Sequence, residues 1–281
     1  MAERAKRLLE ARSFGFVGGG AMAEALVGGL VAAGVAPGRI RVADPDPARQ
    51  KALTETHGVA VGADNAEAVA GADVVVLAVK PDVVAAALAA LRQAGCDVAA
   101  PLWISIAAGI PLATLERALG SGARVVRAMP NTPALVHAGA TAIHANAVAS
   151  AEDRAVAAAL FGAVGTCWEA PAEGQLDAVT GLSGSGPAYV FVFLEALGDA
   201  GVRMGLPRAA AYQLAFQTVL GAAKLAIETG RHPAALKDQV TSPGGTTIAG
   251  LERLEAGGLR AAVHEAVEAA TRRSQELGRS K

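Results

Sequence analysis

Short apolar runs and longer stretches with helical spacing alternate along the first 170 residues of the chain. The runs 14–17, 40–43, 59–61, 74–79, 102–106 and 124–129 are rich in Val, Ile and Leu. Near-continuous apolar segments of that length suit strands buried on both faces. Helical stretches fall between most of them, at 22–33, 48–57, 83–94 and 112–119. Such alternation predicts a doubly wound parallel sheet with right-handed crossovers. Two further strands, 141–144 and 166–170, flank a helix over 152–161 and extend the sheet edge.

The pattern changes near Pro171, after which no strand-like run stands out. Pro207 opens an apolar stretch to Thr229 that Gly230 closes, and a second begins near Thr246 and continues past Gly257 and Gly258 to Leu277. Pro at the start and Gly just past the end punctuate a helix. The expected plan is an N-terminal extension at 1–12, a Rossmann domain at 13–170 and an all-helical domain at 171–281. Long Ala-rich helices with few charges need apolar partners around much of their circumference. The 207–229 helix carries Tyr212, Leu214, Phe216, Val219, Leu220, Leu225 and Ile227. So much apolar surface predicts an obligate homodimer through the C-terminal helices, with each active site at or beside the interface.

Composition narrows the class. The chain is 52% hydrophobic and 18% charged with a formal net charge of -1, which excludes disorder and leaves no basic stripe for nucleic acid. Cys96 and Cys167 have no partner at disulfide or metal-ligand spacing, and the five histidines read as structural or surface groups, so no metal is expected. No apolar run reaches membrane-spanning length and no secretory h-region follows the start, so the expected location is the cytoplasm.

Candidate chemistry begins at the first strand. Gly18, Gly19, Gly20, Ala21, Met22 and Ala23 place G-x-G-x-x-A between strand and helix. Gly18 permits the tight turn, Gly20 lets a pyrophosphate approach the backbone, and the helix start offers N–H groups to the phosphates. Asp44 ends the second strand 21 positions after Ala23. There it either accepts a ribose 2′-OH, favouring NADH, or opens the turn 44–47 and caps the next helix. A 2′-phosphate would be repelled unless Arg49 or another base compensates. Lys80 and Pro81 lie at the carboxyl end of a parallel strand, where ligands of open α/β sheets bind. Asn131, between Pro130 and the Thr132-Pro133 pair, reads equally as turn former or site residue. The stretch Ser242-Pro243-Gly244-Gly245-Thr246-Thr247 puts a glycine turn at a helix start, which is either an anion clamp or a plain turn with a Thr cap.

Several motifs together resemble the pyrroline-5-carboxylate reductase family: Ala78-Val79-Lys80-Pro81, Met129-Pro130-Asn131-Thr132-Pro133, the segment Gly181 to Tyr189, and above all Leu236 to Leu251 with its Ser-Pro-Gly-Gly-Thr-Thr core. The resemblance covers the chain after about Ser13. It implies a Rossmann domain and an interlocking helical dimerisation domain, with dimers assembling into decamers in several members. It implies reduction of 1-pyrroline-5-carboxylate to L-proline by NADPH or NADH. By position it assigns Gly18, Gly19, Gly20, Ala21 and Met22 to the cofactor phosphates. Asn65 and the segment Ala78, Val79, Lys80 and Pro81 go to the adenosine and nicotinamide halves, Ile106 and Ala108 to the nicotinamide pocket, and Gln239 to the cofactor from the helical domain. Glu173, Ser242, Gly244, Gly245, Thr246 and Thr247 go to the substrate, with Thr247 in the catalytic position. Asp44 stands where many members have Ser, Thr or Asn.

Two other readings compete. A β-hydroxyacid dehydrogenase of the 3-hydroxyisobutyrate type resembles Gly-x-x-x-Lys followed four residues later by Asn, but Gly221 to Lys224 is one residue short and Glu228 replaces the Asn. A non-catalytic dinucleotide sensor need not keep the Ser242–Thr247 turn.

Overall fold

The computed structural model describes residues 2–279. They divide into two compact units, one running to Ser185 and resuming at Ala269, the other Gly186–Glu268.

The first unit opens with helix α1 (Ala2–Glu10) and continues through β1 (Phe14–Val17), α2 (Ala21–Ala32), β2 (Ile40–Ala43), α3 (Pro47–His57), β3 (Ala60–Gly62), α4 (Asn65–Val69), β4 (Val74–Leu77), α5 (Val84–Gln93), β5 (Leu102–Ser105), α6 (Leu112–Leu119) and β6 (Arg124–Met129). After β6 come β7 (Gly139–Ala145), α7 (Ala151–Gly162), β8 (Gly165–Glu169) and α8 (Gln175–Val179). The strands form one eight-stranded sheet ordered β3-β2-β1-β4-β5-β6-β7-β8. The first six in that order run parallel, β7 is antiparallel to β6, and β8 is parallel to β7. The order turns back between β1 and β4, the switch point at which doubly wound sheets place a ligand crevice.

Alternation within the strands divides the core between the two sheet faces. Phe14, Phe16, Val74, Val76, Ile104 and Val126 pack with Leu26, Leu30, Leu53 and Leu160 of α2, α3 and α7. Val17, Val75, Leu77, Trp103 and Val125 pack with Val69, Leu88, Leu91 and Leu115 of α4, α5 and α6 on the other side. The buried Trp103 indole N–H is not stranded, because it donates to the Val98 carbonyl at 2.7 Å. Helix ends follow their sequence signals. Asp46 caps α3 by accepting from Ala48 N, with Pro47 in the first turn, and Gly58 ends it at φ 68°. Ser150 and Asp153 close a reciprocal capping box on α7.

The second unit holds α9 (Gly186–Arg203), α10 (Arg208–Thr229), α11 (Pro233–Gln239), α12 (Thr246–Ala256) and the first part of α13 (Leu259–Arg279). Small residues let α9 and α10 approach. The Tyr212 ring fills the space over Gly198, and Ala211 lies against Gly201. Tyr189 ties α9 to α13 by donating to the Ala266 carbonyl at 3.3 Å. Almost nothing else is covered: on α10 only Ala211 and Ala215 are buried, while Phe216 is 52% and Ile227 81% exposed.

Four expectations shift. Residues 2–10 of the expected extension are a helix whose Leu9 is buried in the sheet core. The segment 171–206, part of the expected all-helical domain but given no bounded helix, holds α8, a π-helical turn at Thr180–Gly184, and α9. The stretch from Thr246 to Leu277 is two helices, because Gly258 takes φ 72° and breaks it. The compact second unit begins at Gly186 rather than 171 and ends at Glu268.

Candidate active site

The glycine turn leaves β1 at Gly18, whose φ of 100° belongs to the region that favours glycine. A Cβ there would stand 2.8 Å from the Ala78 carbonyl, so the turn and the segment after β4 touch backbone to backbone. Gly19 is equally confined, its missing Cβ lying 2.9 Å from Leu53 Cδ1 and 3.1 Å from Asp44 Cβ. Gly20 differs. Its missing Cβ would meet nothing nearer than Arg49 Nη1 at 4.0 Å, and as the N-cap of α2 it brings no side-chain cap. Ala21, Met22 and Ala23 occupy the first turn of α2, and Ala23 is fully buried against the sheet. An uncapped helix start, open at Gly20, fits a pyrophosphate.

Around this turn the first unit gathers the other residues expected to touch the cofactor. Ala78, Val79, Lys80 and Pro81 follow β4, Ile106 and Ala108 follow β5, and Asn65 opens α4 just beyond β3. All lie past carboxyl ends of parallel strands. Ala108 and Lys80 are exposed, and Ile106 is half-buried.

Asp44 follows β2 and is only 4% exposed. Its Oδ2 accepts from Gly19 N at 2.8 Å and its Oδ1 from Asp46 N at 2.9 Å, with Arg49 Nη1 3.6 Å away. The carboxylate therefore braces the glycine turn from beneath and opens the turn toward α3. Capping α3, which the sequence reading gave to Asp44, falls to Asp46.

Gln239, Ser242, Gly244, Gly245, Thr246 and Thr247 belong to the second unit and form one loop and helix start. Gln239 ends α11 and is exposed. Gly244 takes φ 66°, and Gly245 sits so close to Ser242 Oγ that any side chain there would overlap it. Gly245 N donates to the Ser242 carbonyl at 3.0 Å, closing the turn. The N-cap of α12 is Gly245, with no side-chain cap, and Thr246 and Thr247 stand inside the first helical turn. That rules out the plain reading of a Thr cap. With no side-chain cap at Gly245, the first-turn N–H groups of α12 suit an anion. The half-buried Thr247 keeps its hydroxyl at the same end.

Glu173, expected at the substrate, makes two contacts within the first unit. Its Oε1 accepts from Leu112 N at 2.8 Å and pairs with Arg127 Nη1 at 2.9 Å. Pro111, the N-cap of α6, offers no side-chain cap, so Glu173 stabilises that helix start and the adjacent guanidinium together. Arg127, 7% exposed on β6, had been read only as part of a strand. A charge in the middle of the strand, flanked by Val126 and Ala128, was the signal available. Asn131 is structural: it donates to the Ser183 carbonyl and accepts from Ala140 N. Lys224 pairs with Glu228 on the exposed side of α10. The described residues hold no group of three or more His, Cys, Asp or Glu able to ligate a metal.

Comparisons with known proteins agree with one another. The family model described as pyrroline-5-carboxylate reductase dimerisation matches residues 173–277, and one described as NADP oxidoreductase coenzyme F420-dependent matches 13–109. The pyrroline-5-carboxylate reductase of Synechocystis is 53% identical over 94% of this chain and 98% of its own. The chain belongs to the pyrroline-5-carboxylate reductase family. A solved reductase from Coxiella burnetii is 41% identical with a TM-score of 0.89, covering 95% of this chain and 98% of that one. Another from Plasmodium falciparum, with NADP bound, is 32% identical with a TM-score of 0.85 over 96% and 99%. The 3-hydroxyisobutyrate dehydrogenase of Mycobacterium tuberculosis is 21% identical, with a TM-score of 0.50, and shares the fold alone. The segment matched by the dimerisation model includes α9 and α10, whose apolar residues are largely exposed.

Proposed function

We propose that the chain reduces 1-pyrroline-5-carboxylate to L-proline with NADPH or NADH. The observation that carries this reading is an uncapped anion-binding turn at Ser242–Thr247 in a chain that also builds an open glycine turn at Gly18–Ala23. The bound dinucleotide supplies one hydride. The chain's own work is orientation, since a protonated cyclic imine is already electrophilic at carbon and needs no strong general acid. The N–H groups of Thr246 and Thr247 behind the Gly244-Gly245 turn, with Ser242 Oγ beside them, hold the substrate carboxylate. The Thr247 hydroxyl accepts from the iminium N–H, and this fixes which face of the C=N bond is presented. The new C–H bond forms as the C=N π pair moves to nitrogen, so the amine keeps its proton and no side chain changes protonation.

The glycine turn, Asn65, Ala78–Pro81, Ile106 and Ala108 hold the dinucleotide, and the resemblance adds Gln239 to the cofactor's contacts. Asp44 lowers the preference for a 2′-phosphate while keeping its bonds to Gly19 and Asp46. Assembly of dimers into a decamer follows from the resemblance alone. We place the reaction in the cytoplasm, a reading supported by two free thiols and by the absence of a membrane-length apolar helix among the described residues. The deciding experiment is oxidation of NADPH and NADH by purified protein with pyrroline-5-carboxylate, with proline measured as product. Protein that binds dinucleotide but forms no proline across neutral pH overturns the proposal.

A further inference from the structure

Four polar side chains of the first unit, with Arg127 and Ser274 buried and Glu173 and Asp177 half-buried, form a relay that the reaction does not use. Ser274, on the last turns of α13 and 3% exposed, donates from Oγ to Asp177 Oδ1 at 2.7 Å. Asp177 stands on α8, and its Oδ1 lies 3.9 Å from Arg127 Nη2. The other arm of Arg127 holds Glu173, which accepts the Leu112 N–H at the start of α6. The relay thus runs from the end of the chain, through β6, to the first residue of α6. A second contact reaches the same loop from the other side. A Cβ built on Gly109 would stand 3.4 Å from Leu277 Cβ and 3.8 Å from Gly278 N.

Both ends of the loop between β5 and α6 are therefore held by one element. Gly109, at φ 69°, is backed by Leu277 and Gly278, and Leu112 is held through Glu173. The same loop carries Ile106 and Ala108. Resting on the reading that these two line the nicotinamide pocket, we infer that the last turns of α13 are a positioning element for that pocket, with Ser274 as its anchoring residue. The electrostatics give the anchor its reach. Without the Ser274 hydroxyl, the half-buried Asp177 carboxylate keeps, among the described residues, Arg127 at 3.9 Å and its share of solvent. It then competes with Glu173 for the guanidinium, and Glu173 is the side chain that accepts the Leu112 N–H. A half-buried carboxylate that loses a donor leans toward its remaining cation.

The test separates the nicotinamide half of the cofactor from the adenosine half. Ser274→Ala should raise the KM for the reduced dinucleotide by roughly three- to tenfold, the usual consequence of losing one hydrogen bond to a charged group through an intermediate. The KM for pyrroline-5-carboxylate, the inhibition constant of AMP (or 2′-phospho-AMP) and the thermal midpoint should stay near wild type. Ser274→Thr, which restores the hydroxyl, should recover the dinucleotide KM, and Arg273→Ala on the exposed side of the same turn should leave it unchanged. A lowered midpoint with an unchanged dinucleotide KM would reduce Ser274 to a structural role and overturn the inference. So would an equal weakening of AMP. Wild-type protein that binds AMP and dinucleotide equally well would instead remove the nicotinamide pocket itself, the reading on which the inference rests.

Discussion

Three side chains show how the same group can serve chemistry or scaffold according to what surrounds it. Thr247 stands in the first turn of α12 behind an uncapped Gly245, so its hydroxyl is not consumed as a cap. Thr247→Ala should lower kcat/KM by roughly one to two decades while leaving dinucleotide affinity near wild type, as expected for one hydrogen bond to a charged group. Steady-state kinetics beside a dinucleotide titration check this, and wild-type kinetics would return Thr247 to the scaffold. Asp44 keeps both carboxylate oxygens on backbone N–H groups. Asp44→Asn retains an acceptor for one of them but deletes the charge, so the NADPH/NADH ratio of kcat/KM should rise, on the order of tenfold. An unmoved ratio would leave Asp44 as a brace only. Burial on β8, reinforced by Glu169, pushes the Cys167 thiol up to about 12. A raised thiol pKa means the neutral form persists below it, so at pH 8 only about one molecule in ten thousand carries the thiolate. Iodoacetamide at pH 8 should leave Cys167 unmodified in the native protein, and mass spectrometry of the digest reads that directly.

At the scale of elements, the decisive contacts are those that only glycine permits. Gly18→Ala would place a methyl 2.8 Å from the Ala78 carbonyl at a φ of 100°. The turn would have to open away from β4, costing about 1–3 kcal/mol in backbone strain and dismantling the phosphate cradle. Dinucleotide binding should fall below detection in a titration that the wild type saturates, while far-UV circular dichroism stays close to native. The sheet was legible in the sequence because strands buried on both faces leave apolar runs, and runs such as Val74–Leu77 and Arg124–Met129 appear where expected. The turn at Ser242–Thr247 was legible because Pro243 fixes its own φ and Gly244 supplies the positive φ the turn requires. Helix α9 was not, since it begins with Gly-Pro and continues through Tyr189, Val190, Phe191, Val192 and Phe193, a run without a polar stripe to set its period. The role of Glu173 was hidden for a different reason. Its partners Arg127 and Leu112 are 46 and 61 residues away, and local pattern says nothing about contacts of that kind.

For the whole molecule, the second unit leaves much of its apolar surface uncovered. Its α9 and α10 cover each other through Gly198, Gly201, Ala211 and Tyr212, yet Phe191, Val192, Leu214, Phe216 and Leu220 remain exposed. A homodimer removes that surface from water. Burying a side chain such as Phe216 is worth about 1.5–3 kcal/mol on each copy. Phe216→Glu should therefore give monomeric or aggregated protein without activity, seen by sedimentation alongside the assay. A folded, fully active monomer would overturn the interface. The aromatic side chains also happen to sort by unit. Both tryptophans, Trp103 in the sheet core and the 49% exposed Trp168 on β8, lie in the first unit, whereas both tyrosines, Tyr189 and Tyr212, lie in the second. Light absorbed above about 295 nm thus excites the dinucleotide-binding unit alone. Iodide quenches Trp168 and spares Trp103, giving separate optical signals for the rim and the centre of the sheet. Tyrosine absorbance follows the helical unit, so loss of one unit before the other would be visible in unlabelled protein as two transitions at two wavelengths.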